Sequence, residues 1–218
     1  MAETRKYRPD LLKIEELDKA GRQEVYNRTA TPKGRELKLA VALMHYPMQD
    51  KQGTLVTTSI TNMDLHDISR SAATYGAARY FVVSPLTAQR DIAARVIKHW
   101  TDGFGAEYNS NRKEAFTRTV LCDSLLYAIQ ECEELWGEKP LIVATTARTE
   151  RANISAKSLG RIAADKPVII LFGTGWGFRQ EVFDLADYVL EPILGAGDFN
   201  HLSVRSAVAI LLDRITKI

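Results

Sequence analysis

The sequence is poor in cysteine and histidine, with two cysteines and four histidines among 218 residues. Cys122 and Cys132 fall on one predicted helix, where their side chains point in different directions and cannot form a disulfide with each other. A disulfide framework or a metal site is therefore not expected.

Long apolar runs are also absent. No stretch approaches the ~20 consecutive apolar residues that span a bilayer, and the first ten residues are polar and basic, without the apolar core of a signal peptide. We therefore expect a reduced, cytoplasmic protein with no membrane partner.

Charge is nearly balanced, with a formal net charge of +2. Residues 1–38 hold ten Lys and Arg against seven Asp and Glu, whereas the rest of the chain holds nineteen against twenty. This excess is too small to indicate nucleic-acid binding by itself, because a dedicated electrostatic binder shows a domain pI above ~9. We interpret residues 1–37 as a basic N-terminal arm.

From residue 38 onward, short apolar runs alternate with amphipathic segments, which is the pattern of an α/β fold. The predicted strands are 38–45, 80–84, 140–145, 167–172 and 188–192. The predicted helices are 64–75, 88–101, 123–136, 155–164, 179–185 and 203–217. Such crossovers predict a mostly parallel sheet with helices on both faces. The stretch 102–122 has little periodicity and is predicted to be an exposed insertion in a domain of residues 38–218.

The most informative segment is 166–178, where an apolar strand runs into a bend containing Gly173, Gly175 and Gly177 before a helix. Ligands of α/β proteins bind at the carboxyl ends of strands, where glycine lets backbone amides come close. The spacing is not the dinucleotide fingerprint, which requires a glycine at Phe178, and no phosphate-binding Gly-Lys-Ser/Thr follows. A tight turn without a ligand remains the alternative interpretation.

A second glycine-bearing bend, 191–203, follows the last predicted strand and ends at Ser203, which we expect to cap the final helix. Two neighbouring bends rich in peptide groups suit an adenosine whose edges are bound by main-chain groups and whose face contacts Leu or Ile. Trp176 and Phe199 are candidates for stacking, with a core role as the alternative.

Together, 172–178, 192–195 and 200–208 resemble the second and third motifs of the SPOUT methyltransferases, which are knotted S-adenosylmethionine (SAM)-dependent RNA methyltransferases. Residues 61–76, with Arg70 on a predicted helix, are similar to the first motif. The resemblance covers residues 39–218 and is stronger to a bacterial subgroup of SAM-dependent RNA methyltransferase domains related to the C-terminal portion of tRNA guanine-N1 methyltransferases.

The resemblance implies a C-terminal deep trefoil knot, an exception to the rule that chains are unknotted. It also implies SAM as cofactor, tRNA or rRNA as substrate, a homodimer, and Arg70 as the residue that acts on the target nucleotide. The general base stays unassigned among His66, Asp67, Asp198 and His201. The implied cofactor-binding residues are Thr145, Thr146, Phe172, Gly173, Thr174, Gly175, Pro192, Ile193, Leu194, Asn200, His201, Leu202 and Ser203.

Two positions depart from the ribose 2′-O-methyltransferases of the superfamily, which carry a glutamate and an asparagine where this chain has Gly175 and Ser203. A base nitrogen and a ribose oxygen therefore both remain open as acceptors. The alternative functions are a SAM- or RNA-binding module without catalysis and a nicotinamide-dependent oxidoreductase.

The candidate RNA contacts are Arg5, Lys6, Arg8, Arg22, Arg28, Lys33, Arg35, Arg112, Lys113 and Arg118. The apolar stripe of the last helix indicates either a partner helix or burial against the chain's own sheet.

Overall fold

The computed structural model describes residues 37–197 and 199–217. Residues 1–36, which hold the basic residues assigned to the N-terminal arm, lie outside the described residues, as does Asp198.

The centre of the fold is a six-stranded sheet with the strand order β5-β4-β1-β7-β6-β8. Every pair of neighbouring strands in it is parallel, so the predicted parallel sheet is confirmed. A separate antiparallel pair, β2 and β3, follows β1. The strands are β1 (Leu39–Met44), β2 (Met48–Gln49), β3 (Leu55–Val56), β4 (Arg79–Val83), β5 (Thr119–Cys122), β6 (Leu141–Thr145), β7 (Val168–Gly173) and β8 (Tyr188–Leu190).

Eight α-helices lie in the described part of the chain, and six of them correspond to the predicted helices. Side-chain oxygens of Thr61, Ser124, Ser155 and Ser203 accept backbone N–H groups at four helix starts, so the predicted cap at Ser203 is confirmed. The helices are α1 (Asn62–Thr74), α2 (Thr87–Thr101), α3 (Phe104–Tyr108), α4 (Ser110–Phe116), α5 (Leu125–Trp136), α6 (Ala156–Ala163), α7 (Gln180–Leu185) and α8 (Val204–Thr216).

Apolar residues cover both faces of the sheet, which is why its central strands are almost continuously apolar. Residues of α1, α2, α4, α6 and α8 pack in one cluster and residues of α5 and α7 in the other. The apolar residues of α8 belong to the first cluster, and α8 packs on α1 and α6. Burial within the chain's own core therefore explains the stripe on this helix without a partner helix.

The segment 102–122 is more ordered than an exposed insertion. It forms α3, α4 and the edge strand β5, which pairs with β4, and it buries Phe116 and Cys122. The prediction missed β5 because this short strand follows a stretch rich in polar residues and glycine, which indicates a loop. The segment therefore extends the sheet.

In the described residues, no helix is both long and apolar enough to cross a membrane. The same residues include no group of three or more His, Cys, Asp or Glu side chains placed to hold a metal ion. The prediction that the two cysteines share one helix was wrong, because Cys122 ends β5 and Cys132 lies on α5. Both cysteines are free and buried, and burial raises the pKa of each thiol to about 12. These thiols are therefore protonated near neutral pH and are weak nucleophiles.

Candidate functional site

A cavity of about 900 Å³ opens where β6 and β7 end and where the chain passes from β8 to α8. The segment between β2 and α1 forms another part of the wall, and one face of α8 completes it. The carboxyl ends of parallel strands are where α/β folds bind ligands, and this volume is within the range of small-molecule sites, roughly 300–1,000 Å³.

Most of the sequence-predicted binding residues meet in this cavity. Pro192 and Leu194 are the exceptions: neither is among the described residues that line it, Pro192 is buried, and Leu194 is 63% exposed. The predicted residues that line the cavity are Thr145, Thr146, Phe172, Gly173, Thr174, Gly175, Ile193, Asn200, His201, Leu202 and Ser203.

Sequence reasoning missed the part of the wall that lies between β2 and α1. This segment has neither the alternation of a long strand nor the periodicity of a helix, although its Thr and Ser residues before a helix were an available signal. The lining residues from β2, from this segment and from α1 are Gln49, Thr58, Ser59, Thr61 and Asp64. The other additions are Ala147, Arg148, Arg151, Gly177, Phe178, Phe183, Val204, Ala207 and Leu211.

Hydrogen bonds hold the first glycine bend against its neighbours. Gln49 donates from its backbone N–H to the Gly177 carbonyl at 3.1 Å and from its side chain to the Trp176 carbonyl at 3.3 Å. Gly175 and Gly177 have φ angles of +59° and +95°, a region that side-chain-bearing residues rarely adopt. Glycine at these positions is what allows the chain to turn back over the cavity.

The second bend is joined to the loop after β6. The Asn200 side chain donates to the Ala147 carbonyl at 2.9 Å, and both residues line the cavity. Phe199 is 80% exposed, is not among the described lining residues, and makes an edge contact with the His201 ring at 5.5 Å between centroids. Of the two stacking candidates, only Trp176 lines the cavity, and it is 59% exposed.

Charges of both signs face the cavity. Arg151 donates to the Gln180 side chain at 2.9 Å, and its guanidinium lies 4.5 Å from the centre of the Phe183 ring. Arg148 also lines the cavity. Asp64 accepts a hydrogen bond from the Thr61 hydroxyl at 2.6 Å and lies 3.5 Å from the Arg205 Nε. The cavity therefore combines two arginines with a carboxylate that is already paired.

The candidate catalytic residues on α1 do not line the cavity. Arg70 is exposed. His66 packs edge-on against Trp100, and burial, together with the nearby Arg112, lowers its pKa. Asp67 instead pairs with Arg205 at 3.2 Å, so His66 and Asp67 contact different elements and do not form one catalytic face. Among the described base candidates, only His201 lines the cavity.

The lining residues fit SAM in chemical character. Phe172, Ile193 and Leu202 offer apolar walls, and the glycine bends offer peptide groups for the adenosine. Arg148 and Arg151 suit a carboxylate, since a guanidinium binds carboxylates with paired hydrogen bonds.

Comparison with known proteins identifies a family model and relatives that match most of this chain. Residues 38–217 match the family model described as SAM-dependent RNA methyltransferase. An uncharacterized protein of Aquifex aeolicus (strain VF5) is 43% identical over 177 residues, which cover 80% of this chain and 86% of that protein. A tRNA (guanine-N(1)-)-methyltransferase of Nitratidesulfovibrio vulgaris is 37% identical over 208 residues, covering 95% of this chain but 48% of that protein. The chain thus spans about half the length of that relative.

Among solved structures, the SpoU methyltransferase AviRb from Streptomyces viridochromogenes, in complex with the cofactor AdoMet, is similar with a TM-score of 0.53. The identity is 17%, and the match covers 85% of this chain and 58% of AviRb, so this likeness concerns the fold. The family match covers the whole parallel sheet and every loop that lines the cavity. The chain therefore belongs to the SAM-dependent RNA methyltransferase family.

Proposed function

We propose that this chain transfers the methyl group of SAM to a base nitrogen or a ribose oxygen of tRNA or rRNA. The observation that carries the proposal is the convergence of three loops, 145–151, 172–178 and 193–203, on one cavity in a chain of this family. SAM is the cofactor of the family, and the lining residues have the chemical character to hold it.

The proposed binding mode assigns the adenosine to main-chain groups and the amino-acid end to the arginines. Gly173, Ile193 and Leu202 are the positions at which main-chain contacts are expected, and each lines the cavity. Arg148 and Arg151 are placed to bind a carboxylate, with Arg151 fixed by Gln180 and Phe183. Pro192 and Leu194 are not proposed to contact SAM, because they do not line the cavity.

When bound, SAM supplies an activated methyl group, so the carbon–sulfur bond breaks as the bond to the RNA nucleophile forms. The protein has to align that nucleophile with the methyl carbon, exclude water and accommodate the proton that the acceptor loses. We propose that Arg70 contacts the target nucleotide held by the other subunit, since Arg70 is exposed and lies outside the cavity of its own chain.

The role of Arg70 can be tested by measuring methyl transfer to RNA. Wild-type protein with labelled SAM is expected to label bulk bacterial RNA. An Arg70→Ala variant is expected to lose roughly ten- to a hundredfold in rate, because a hydrogen bond to a charged phosphate contributes about 1.5–3 kcal/mol. Its affinity for SAM should stay unchanged. The measurement is label transferred to RNA, alongside calorimetric titration with SAM.

Arg95→Ala is the matched control, since Arg95 is an exposed arginine on α2. RNA labelling by Arg70→Ala at the wild-type rate would contradict the role of Arg70. SAM binding without labelled RNA would favour the binding module, and binding of NADH instead of SAM would favour the oxidoreductase. Mapping the methylated nucleotide then distinguishes a base nitrogen from a ribose oxygen.

Contacts to RNA phosphates are expected from exposed cations. In the segment 102–122, Lys113 is exposed, whereas the Arg118 guanidinium donates to the Ala77 carbonyl at 3.1 Å. The Arg112 guanidinium lies 4.4 Å from the centre of the Trp100 ring. Lys113 is therefore the most available of the three for a phosphate contact, and the arginines of the basic arm remain candidates from the sequence.

We also propose a homodimer that is formed through the apolar residues near the mouth of the cavity. Trp176, Leu194, Phe199 and Leu202 are between 49% and 80% exposed, which is unusual for four large apolar side chains in neighbouring loops. This proposal does not rest on α8, whose apolar residues are buried in the chain's own core.

The expected mass in light scattering is twice that of one chain, and Phe199→Asp is expected to shift the protein toward monomer. Ile92→Asp is the control, because Ile92 is 65% exposed but lies on α2, outside the loops near the cavity mouth. A wild-type monomer at micromolar concentration would contradict the dimer.

A C-terminal trefoil knot is proposed from the resemblance to the SPOUT family. It is supported by the strand order, in which β7 lies between β1 and β6, and by the entry of residues 193–203 and α8 into the same cavity wall as the loop after β6. Stretching single molecules from both ends is expected to give a shorter fully extended length than an unknotted chain of this size.

A further inference from the structure

A fully buried histidine, His45, follows the central strand β1 and is joined to the cavity wall by two threonine hydroxyls. Its Nδ1 lies 3.0 Å from the Thr58 Oγ1, and the Thr58 Oγ1 lies 2.5 Å from the Thr174 Oγ1. The backbone fixes the same pair, because the Thr58 N–H donates to the His45 carbonyl at 2.9 Å. Thr58 and Thr174 both line the cavity, and His45 does not.

The number of available hydrogens fixes the direction of this chain of hydrogen bonds. The Thr174 hydroxyl donates its single hydrogen to the Met44 carbonyl at 3.0 Å. The hydrogen between the two threonines must therefore come from Thr58, since each hydroxyl has only one to give. Thr58 has then no hydrogen left for His45, so the His45 Nδ1 is the donor to Thr58.

This direction implies a neutral His45 with its proton on Nδ1. The His45 Nε2 is buried and has no hydrogen-bond partner in the described residues. A proton on Nε2 would leave a buried donor unsatisfied, whereas an unprotonated Nε2 leaves only an acceptor. Burial also lowers the pKa of His45 to about 4, which agrees with a neutral ring at physiological pH.

The direction of these hydrogen bonds determines how the Thr174 hydroxyl can interact with a ligand in the cavity. Its hydrogen is committed to Met44, and one of its two lone pairs accepts from Thr58. One lone pair is left, so Thr174 acts toward a ligand only as a hydrogen-bond acceptor. Such an oxygen suits a hydroxyl or an ammonium group and disfavours a carboxylate or a phosphate.

We propose that Thr174 accepts a hydrogen bond from a hydroxyl or the ammonium group of bound SAM, and that His45 and Thr58 are positioning residues that hold Thr174 in this acceptor state. The proposal rests on the proposed function, because it names a contact between this cavity and SAM. It gives the Thr174 hydroxyl a defined role in SAM binding and adds His45 and Thr58 as the residues that support it.

Matched variants of Thr174 distinguish the effect of its hydroxyl acceptor from the effect of its side-chain shape. Thr174→Ser keeps the hydroxyl, and Thr174→Val keeps the shape without it. Thr174→Val is expected to bind SAM about tenfold more weakly than Thr174→Ser, because a ligand donor is left without its partner. For His45, asparagine places an amide N–H where Nδ1 stands and is expected to retain binding. Glutamine places its amide near Nε2 and is expected to weaken binding.

Analogues of the product S-adenosylhomocysteine provide a readout that a merely structural role would not change. The 2′-deoxy, 3′-deoxy and deamino analogues each lack one donor. The penalty of Thr174→Val is expected to disappear for the one analogue that lacks the donor bound by Thr174. An equal penalty for all three analogues would show that Thr174 only anchors the bend and would overturn the proposal.

The tautomer of His45 tests the same proposal in the wild-type chain without any ligand. Nitrogen-15 NMR of the imidazole is expected to show the proton on Nδ1 between pH 6 and 8, and a proton on Nε2 would overturn the proposal.

If wild-type protein binds neither SAM nor S-adenosylhomocysteine, the proposed function itself fails. If it binds them and Thr174→Val binds equally well, only the role of Thr174 fails.

Discussion

Replacement of Gly175 by valine is expected to weaken SAM binding at least tenfold and to reduce methyl transfer with it. Gly175 has a φ of +59°, and a left-handed conformation costs an L-residue about 1–2 kcal/mol. A Cβ at this position would lie 3.3 Å from the Thr58 Cγ2, tighter than an ordinary contact. The bend must therefore shift, and every 1.4 kcal/mol lost from binding is about tenfold in affinity.

Gly53→Val is the matched control for this variant. Gly53 has a φ of +81°, nothing lies within 4 Å of its added Cβ, and it is not among the lining residues. Both variants are expected to lose about 1–2 kcal/mol of unfolding free energy in urea denaturation, because both strain the backbone. Only Gly175→Val is expected to lose affinity in calorimetry with SAM. Equal SAM affinities for the two variants would contradict the proposal that the bend containing Gly175 forms part of the SAM site.

The sheet and its flanking helices were predictable because their signals are local. The predicted strand 167–172 corresponds to β7 (Val168–Gly173), a continuous apolar run of the kind found in a strand covered on both faces. Helix ends were marked by residues whose chemistry fits one position, such as Ser203 before α8 and Gly137 after α5, which has a φ of +69°.

Three short strands, β2, β3 and β5, were not predicted, whereas the three-residue β8 (Tyr188–Leu190) was predicted from an apolar run bounded by turn residues. β2 and β3 have two residues each, and β5 has four. No periodicity is measurable over such lengths, and their stability comes from pairing with another strand, as β5 pairs with β4. Only the tertiary structure shows that pairing.

The candidate site was predictable where glycine bends follow strands. It was not predictable where polar side chains from distant segments form hydrogen bonds with one another. Gly173 and Leu202 stood in motifs with a recognisable spacing. His45, Thr58 and Thr174 come from three separate segments, and the hydrogen bonds between them depend on the alignment of β1 with β7. Sequence reasoning identified Thr174 by its motif but had no means of finding its two partners.

Acidification is expected to destabilise the fold through His45. The folded state holds the pKa of His45 at about 4, below the ordinary value of 6.5. Between these values the unfolded chain binds more protons than the folded chain, so the stability contributed by the neutral ring is complete above pH 6.5 and is lost as pH falls to about 4. At about 1.4 kcal/mol per pKa unit, the loss is roughly 3 kcal/mol.

His45→Asn isolates this contribution from the carboxylates and the other histidines. The asparagine amide keeps the donor toward Thr58 and has no proton to gain between pH 7 and 4. Urea denaturation at pH 7, 5.5 and 4.5 is expected to show a steeper fall in unfolding free energy for wild type than for the variant. The difference should grow with each step toward acid, because the other titrating groups are common to both chains. Parallel curves would contradict the prediction, because they would mean that the folded and unfolded chains take up protons equally at His45.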